Sequence, residues 1–161
     1  MIESPAMKEL ILVRHAKSSW EFGDIDDFDR PLNDRGLRDA PRVAARVAGT
    51  CPAPDVLATS PATRAFQTAL FFRHAWDLPW ERFELWPGIY EASSGNLLGL
   101  ATRLCSRGER VALFGHNPGM SLFLDLLTGD GREMKTACVA RVSFEGAPEP
   151  GRGSLNGYES P

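Results

Sequence analysis

Five short apolar runs, separated by polar loops and amphipathic stretches, constrain this 161-residue chain more than any other feature. KELILV (Lys8 to Val13), DVLATS (Asp55 to Ser60), RFELWP (around Phe83), RVALFG (Arg110 to Gly115) and ACVARVSF (Ala137 to Phe144) are too short for helices and rich in strand formers. Between them, apolar residues recur at helical spacing. Leu37, Ala40, Ala44 and Val47 mark a helix over Gly36 to Ala48, with Pro41 implying a kink or a later start. Ala65, Ala69, Phe72 and Trp76 mark a second, with Ser60 as N-cap and Pro61 as first helical residue. Leu97, Ala101 and Leu104 mark a third, opened by Ser93 or Ser94 and stopped by Gly108. A fourth, with Asn117 and Pro118 at its start, runs to Leu127 and is apolar almost all round, which predicts burial. Strands alternating with helices predict an α/β fold: a three-layer α/β/α sandwich with a mostly parallel central sheet. The domain is expected over 1–145. The stretch 146–161, EPGRGSLNGYESP and its lead-in, is rich in Gly, Pro and Ser and predicts a flexible C-terminal tail.

Composition narrows the function. Hydrophobic residues at 43% and charged residues at 24% suit a soluble globular domain, and a net charge of −3 gives no global attraction to nucleic acid or to an anionic membrane. The first residues lack the basic-then-apolar pattern of a secretory signal, and no apolar run is long enough for a membrane helix, so a cytoplasmic location is expected. Cys51, Cys105 and Cys138 are odd in number and share no CxxC spacing, which argues against a disulfide framework and a Cys-rich zinc site. Walker, GxSxG, HExxH and dinucleotide-binding motifs are absent; GRGSLNG near the end follows no strand that opens a helix.

Chemistry concentrates at strand ends. In an open parallel sheet, ligands sit beyond the carboxyl ends of the strands. Two of the three histidines, His15 and His116, directly follow strands. Arg14 and His15, Ser60 and Arg64, Glu91, and His116 therefore converge on one edge. One histidine after a strand is usually incidental; two of them with two arginines at matching ends are hard to explain that way. His74 lies mid-helix and is expected at the surface. The set suits a tetrahedral dianion: guanidiniums offer fixed forked donors, and the helix after Asn117 adds backbone N–H groups. Cations nearby should keep an imidazole neutral and nucleophilic. With many basic groups and few carboxylates, neither a metal nor another cofactor is expected.

LILVRHAKSSW, SPATRAFQTA and LFGHNPG together resemble the histidine phosphatase superfamily, with its phosphoglycerate mutase-like fold, from Lys8 to Phe144. RPLNDRG and GHNPG are most similar to the SixA-type phosphohistidine phosphatases. The resemblance implies that His15 is the nucleophile, that Arg14, Arg64 and His116 hold phosphate, and that Glu91 is the proton donor. Ser18 falls at a small polar position that lines the pocket, and Asn117 beside His116 is a further candidate for phosphate binding. Two departures matter. Ala16 replaces the Gly of Arg-His-Gly, harmless where φ is negative, and Glu21 stands where mutases carry Asn.

The implied substrate is a phosphorylated protein carrying phosphohistidine. Small phosphorylated metabolites are the alternative, and a non-catalytic phosphate-binding or scaffold protein is a third reading. With no long insertion to cap the pocket, either kind of substrate has access.

Overall fold

The computed structural model describes residues 3–21 and 23–161. One six-stranded sheet runs in the order β3-β2-β4-β1-β5-β6. Strands β1 (Met7–Arg14), β2 (Val56–Thr59), β3 (Phe83–Leu85) and β4 (Arg110–Gly115) are parallel. Strands β5 (Val139–Glu145) and β6 (Ser154–Glu159) close the far side as an antiparallel pair. Among the described residues, four α-helices pack on the sheet: α1 (Asp34–Thr50), α2 (Thr63–Trp76), α3 (Ser94–Cys105) and α4 (Gly119–Thr128). The expected α/β sandwich is present.

The central strands are buried on both faces, so they read as continuous apolar runs. Alternate residues of β1 feed two separate cores. Leu10 and Leu12 pack with α3 and α4 through Leu97, Leu104, Phe123 and Leu124, while Ile11 and Val13 pack with α1 and α2 through Ala40, Val43, Ala69 and Phe72.

Several local expectations shift. Helix α1 starts earlier than its apolar spacing suggests, because Asn33 Oδ1 accepts from Gly36 N–H at 2.9 Å and caps it. It continues through Pro41, and Leu37 is exposed rather than buried; Val43 takes the core position. Gly36 is required here, since a Cβ would stand 2.2 Å from the Lys17 carbonyl oxygen. Helix α2 begins at Thr63, not at Pro61, and Ser60 Oγ accepts instead from Ala62 N–H at 3.2 Å. Helix α3 opens at Ser94 with Ser93 capping it, and ends at Cys105 before Gly108 is reached. Helix α4 buries one face only, leaving Leu122 54% exposed.

The expected loose tail is not loose throughout. Ser154–Glu159 pairs with β5, Leu155 and Tyr158 pack against the α3–α4 core, and Gly151 and Gly153 N–H donate to the last carbonyls of α4 at Leu126 and Leu127. Its Gly and Ser content concealed a half-buried edge strand. Among the described residues, no helix is long and apolar enough to cross a membrane.

Candidate active site

Strand register brings the three motifs together. β4 lies between β1 and β2, with Arg14 opposite Gly115 and Thr59 opposite Phe114. The ladder extends past the strand ends: His15 N–H donates to Gly115 O at 3.1 Å and Ser60 N–H to Phe114 O at 3.0 Å. His15, Ser60 and His116 must therefore emerge side by side. The two imidazole centroids are 5.1 Å apart, and His116 Nε2 is 2.8 Å from Ser60 Oγ. Arg64, in the first turn of α2, reaches back over the same edge.

These residues line a cleft of about 670 Å³, bounded by Arg14, His15, Ser18, Arg64, Glu91 and His116 among others. Asn117, Pro118 and Gly119 bring the start of α4 to its wall. Gly119 has no room for a side chain, because a Cβ would meet the Ala92 carbonyl oxygen at 2.4 Å. That close approach joins the Tyr90–Ala92 loop to the helix start.

His15 is fixed in one tautomer. Its Nδ1 lies 2.7 Å from Ala16 O, and a carbonyl only accepts, so Nδ1 carries the proton. Its Nε2 then holds a lone pair, which accepts from Arg64 Nε–H at 3.3 Å. Burial pushes the His15 pKa down to about 3; the Ala16 hydrogen bond opposes this, and His116, Arg64 and Arg14 add to it. The expectation of a neutral imidazole holds, with burial rather than neighbouring cations as the leading cause. His116 is likewise lowered to about 4, first by burial and then by Arg64. Ala16 is not among the residues with positive φ, so the missing glycine costs nothing.

Two buried polar atoms at the cleft have no protein partner, Arg14 Nε and His116 Nδ1. Unsatisfied groups of this kind are costly unless a ligand completes them. Arg14 is steadied by Nη1 donating to Met134 O at 2.9 Å.

The other expected residues differ in character. Ser18 is buried, and its Oγ accepts from Arg30 Nη1 at 2.6 Å. Asn117 spends its side chain on the scaffold. Its Nδ2 donates to Met134 O at 2.8 Å and its Oδ1 accepts from Ser121 N–H at 3.2 Å, so it braces the start of α4 without being its formal cap. Glu91 lines the cleft but is exposed, at a left-handed φ of 58°. Glu21 is exposed and outside this cleft, and His74 is exposed on α2.

Sequence reasoning missed a layer above the floor. Asp27, on the 3₁₀ turn Asp27–Asp29, accepts from Arg64 Nη2 at 3.0 Å, Arg30 Nε at 3.0 Å and Tyr90 O–H at 2.8 Å. Burial works to raise its pKa, but Tyr90, Arg30 and Arg64 outweigh it and hold the carboxyl down to about 2. Arg30, 7% exposed, lies under the Trp20 ring at 3.6 Å. Arg30 opens the motif RPLNDRG, but nothing in the sequence marks an arginine in this polar loop as buried.

The sequence profile of the histidine phosphatase superfamily (branch 1) matches residues 10–121. The chain belongs to that superfamily. An uncharacterized Mycobacterium tuberculosis H37Rv protein is 31% identical over 163 aligned positions, covering 92% of this chain and 99% of that one. Among solved structures, the provisionally assigned phosphohistidine phosphatase SixA of Agrobacterium tumefaciens superposes with a TM-score of 0.84 at 27% identity, covering 96% of this chain and 98% of that one. A protein histidine phosphatase SixA complexed with tungstate gives 0.82 at 22% identity, with 94% and 96% coverage. A mycobacterial glucosyl-3-phosphoglycerate phosphatase shares the fold more distantly, at 0.69 and 12% identity over 93% and 97% of the two chains. Superfamily membership and the SixA-type likeness support a phosphatase.

Proposed function

We propose that this superfamily member is a phosphohistidine protein phosphatase that works through a phosphoryl group carried on His15. The tautomer of His15 carries the reading: Nδ1–H locked on Ala16 O leaves the Nε2 lone pair beside Arg64. In the first step Nε2 attacks phosphorus in line, the N–P bond forms and the bond to the leaving group breaks. Arg14, Arg64 and His116 hold the equatorial oxygens, where charge gathers. Glu91 supplies a proton to a leaving group that needs one. In the second step it takes a proton from the water that attacks phosphorus, and inorganic phosphate departs as the N–P bond breaks. Guanidiniums and imidazole meet the charge, so the proposed reaction needs no metal.

A protein substrate is favoured by the mouth of the cleft. Trp20 is 73% exposed and Leu122 54%, and both line it, offering apolar contact to a chain around the phosphorylated side chain. The likeness to SixA supports the same choice. The test is kcat/KM across a panel: a phosphohistidine peptide, sugar phosphates, nucleotides and an aryl phosphate. The phosphohistidine peptide should lead. A strong preference for a sugar or nucleotide phosphate would make the protein a small-molecule phosphomonoesterase. Phosphate binding with no turnover of any substrate would make it a binding protein.

A further inference from the structure

We infer that Asp27 is a positioning residue: it grips the outer edge of the Arg64 guanidinium so that the Nε edge faces the phosphoryl group on His15. The inference rests on the phosphatase reading above.

Arg64 has five N–H donors in a planar fork. Asp27 takes one from each terminal nitrogen. Its main-chain oxygen accepts from Nη1 at 2.6 Å, and its Oδ2 accepts from Nη2 at 3.0 Å. The Nε–H side of the fork stays turned to His15 Nε2 at 3.3 Å, where phosphorus would bond. Two contacts on one rigid plane fix both position and tilt.

Asp27 is in turn held from outside. Tyr90 O–H donates to Oδ2 at 2.8 Å. Arg30 donates to Oδ1 through Nε at 3.0 Å and stands 2.9 Å from it through Nη2. Arg30 Nη1 is spent on Ser18 Oγ at 2.6 Å and Ser19 O at 3.1 Å. Arg30 therefore anchors the turn, leaving most of its donors unavailable to substrate, while Arg64 keeps an edge free. The Asp27 side chain is 47% exposed and the Arg64 side chain only 6%, so a loop residue sets the aim of a buried one.

A misplacement near 1 Å at a reacting group costs on the order of 100-fold. Asp27→Asn keeps the shape and the main-chain contact but removes the charge and half of the acceptors. With para-nitrophenyl phosphate as probe, kcat/KM should fall by about 10- to 100-fold, mostly in kcat, because Arg64 acts most strongly in the transition state.

The deciding measurement is a double-mutant cycle with Arg64→Ala. In that background Asp27→Asn should cost less than about threefold, since nothing remains to be aimed. Tyr90→Phe, which removes one hydrogen bond to Asp27, should show the same dependence on Arg64 with a smaller loss, and it serves if Asp27→Asn folds poorly. Equal losses in both backgrounds, or wild-type kcat/KM in Asp27→Asn, would overturn the inference. Should Arg64→Ala itself retain wild-type turnover, the phosphatase reading of the cleft falls, and this inference with it.

Discussion

The floor and the rim of the cleft are built by different means. On the floor, His15, Ser60 and His116 continue three adjacent parallel strands; His15 and Ser60 are set by backbone bonds to β4, and His116 directly follows Gly115 at the end of that strand. On the rim, Asp27, Arg30, Tyr90 and Glu91 sit on turns, and hydrogen bonds made by side chains tie Asp27 to Arg30, Tyr90 and the Arg64 guanidinium below. The sheet therefore places His15, the proposed nucleophile, while a turn holds the outer edge of the Arg64 guanidinium beside it. Substitutions on the floor should therefore act on the chemistry, and substitutions on the rim on alignment and on choice of substrate.

Arg64 joins the two regions, so breaking it should have a larger effect than any change on the rim alone. Its guanidinium serves His15 and Asp27 together. Lysine has one compact ammonium and cannot satisfy that geometry. Arg64→Lys should lower kcat/KM by about 2–4 kcal/mol of transition-state stabilisation, comparable to loss of an oxyanion donor. Steady-state kinetics with wild-type-like rates would show the junction to be unnecessary.

A smaller effect concerns stability and comes from the floor alone. The unfolded chain protonates His15 near the ordinary histidine value of 6.5, but burial lowers this to about 3 in the folded chain. Between those values the unfolded state binds more protons, so stability is fully present above 6.5 and is lost as pH falls toward 3. The loss approaches about 1.4 kcal/mol per pH unit for one such group. Denaturant titrations between pH 6.5 and 5 should show it, and His15→Gln should have a flatter slope. An unchanged slope would mean that the buried imidazole accepts a proton at ordinary pH.

How far the sequence could be read follows the same division. Strand ends and helix periods are local, so His15, Arg64 and His116 could be placed from runs such as LILV and VALF. Asp27 and Tyr90 could not, because their partners lie 37 and 63 residues apart along the chain and only the finished fold pairs them. Leu37 and Leu122 look like core by composition, yet each falls on the outer side of its helix. Strand β6 was hidden because a half-buried edge strand tolerates Gly, Asn and Ser, residues that read as loop.

The mildest expected effect sharpens the rim's part. Among the described residues no hydrogen bond fixes the Glu91 side chain, which is exposed beside the mouth. An alkyl phosphate expels an alkoxide and needs a proton, help worth roughly 10²–10⁴-fold. Phosphohistidine can take a proton from water on its other ring nitrogen, whose ordinary pKa is about 6.5, and then leaves as neutral imidazole, so it needs far less help from a protein acid. Glu91→Gln should therefore slow serine or sugar phosphates severely and a phosphohistidine peptide only slightly. Equal losses on both substrates would reject the leaving-group argument.

In the proposed reaction, phosphoryl transfer passes through Nε2 of His15. The most direct test mixes the protein with a radiolabelled phosphohistidine peptide or aryl phosphate, quenches in alkali during turnover and maps the label. The expected result is an acid-labile, alkali-stable phosphoryl group on His15, absent from His15→Asn, which should also lose turnover. Label on another residue, or undiminished turnover by His15→Asn, would contradict it.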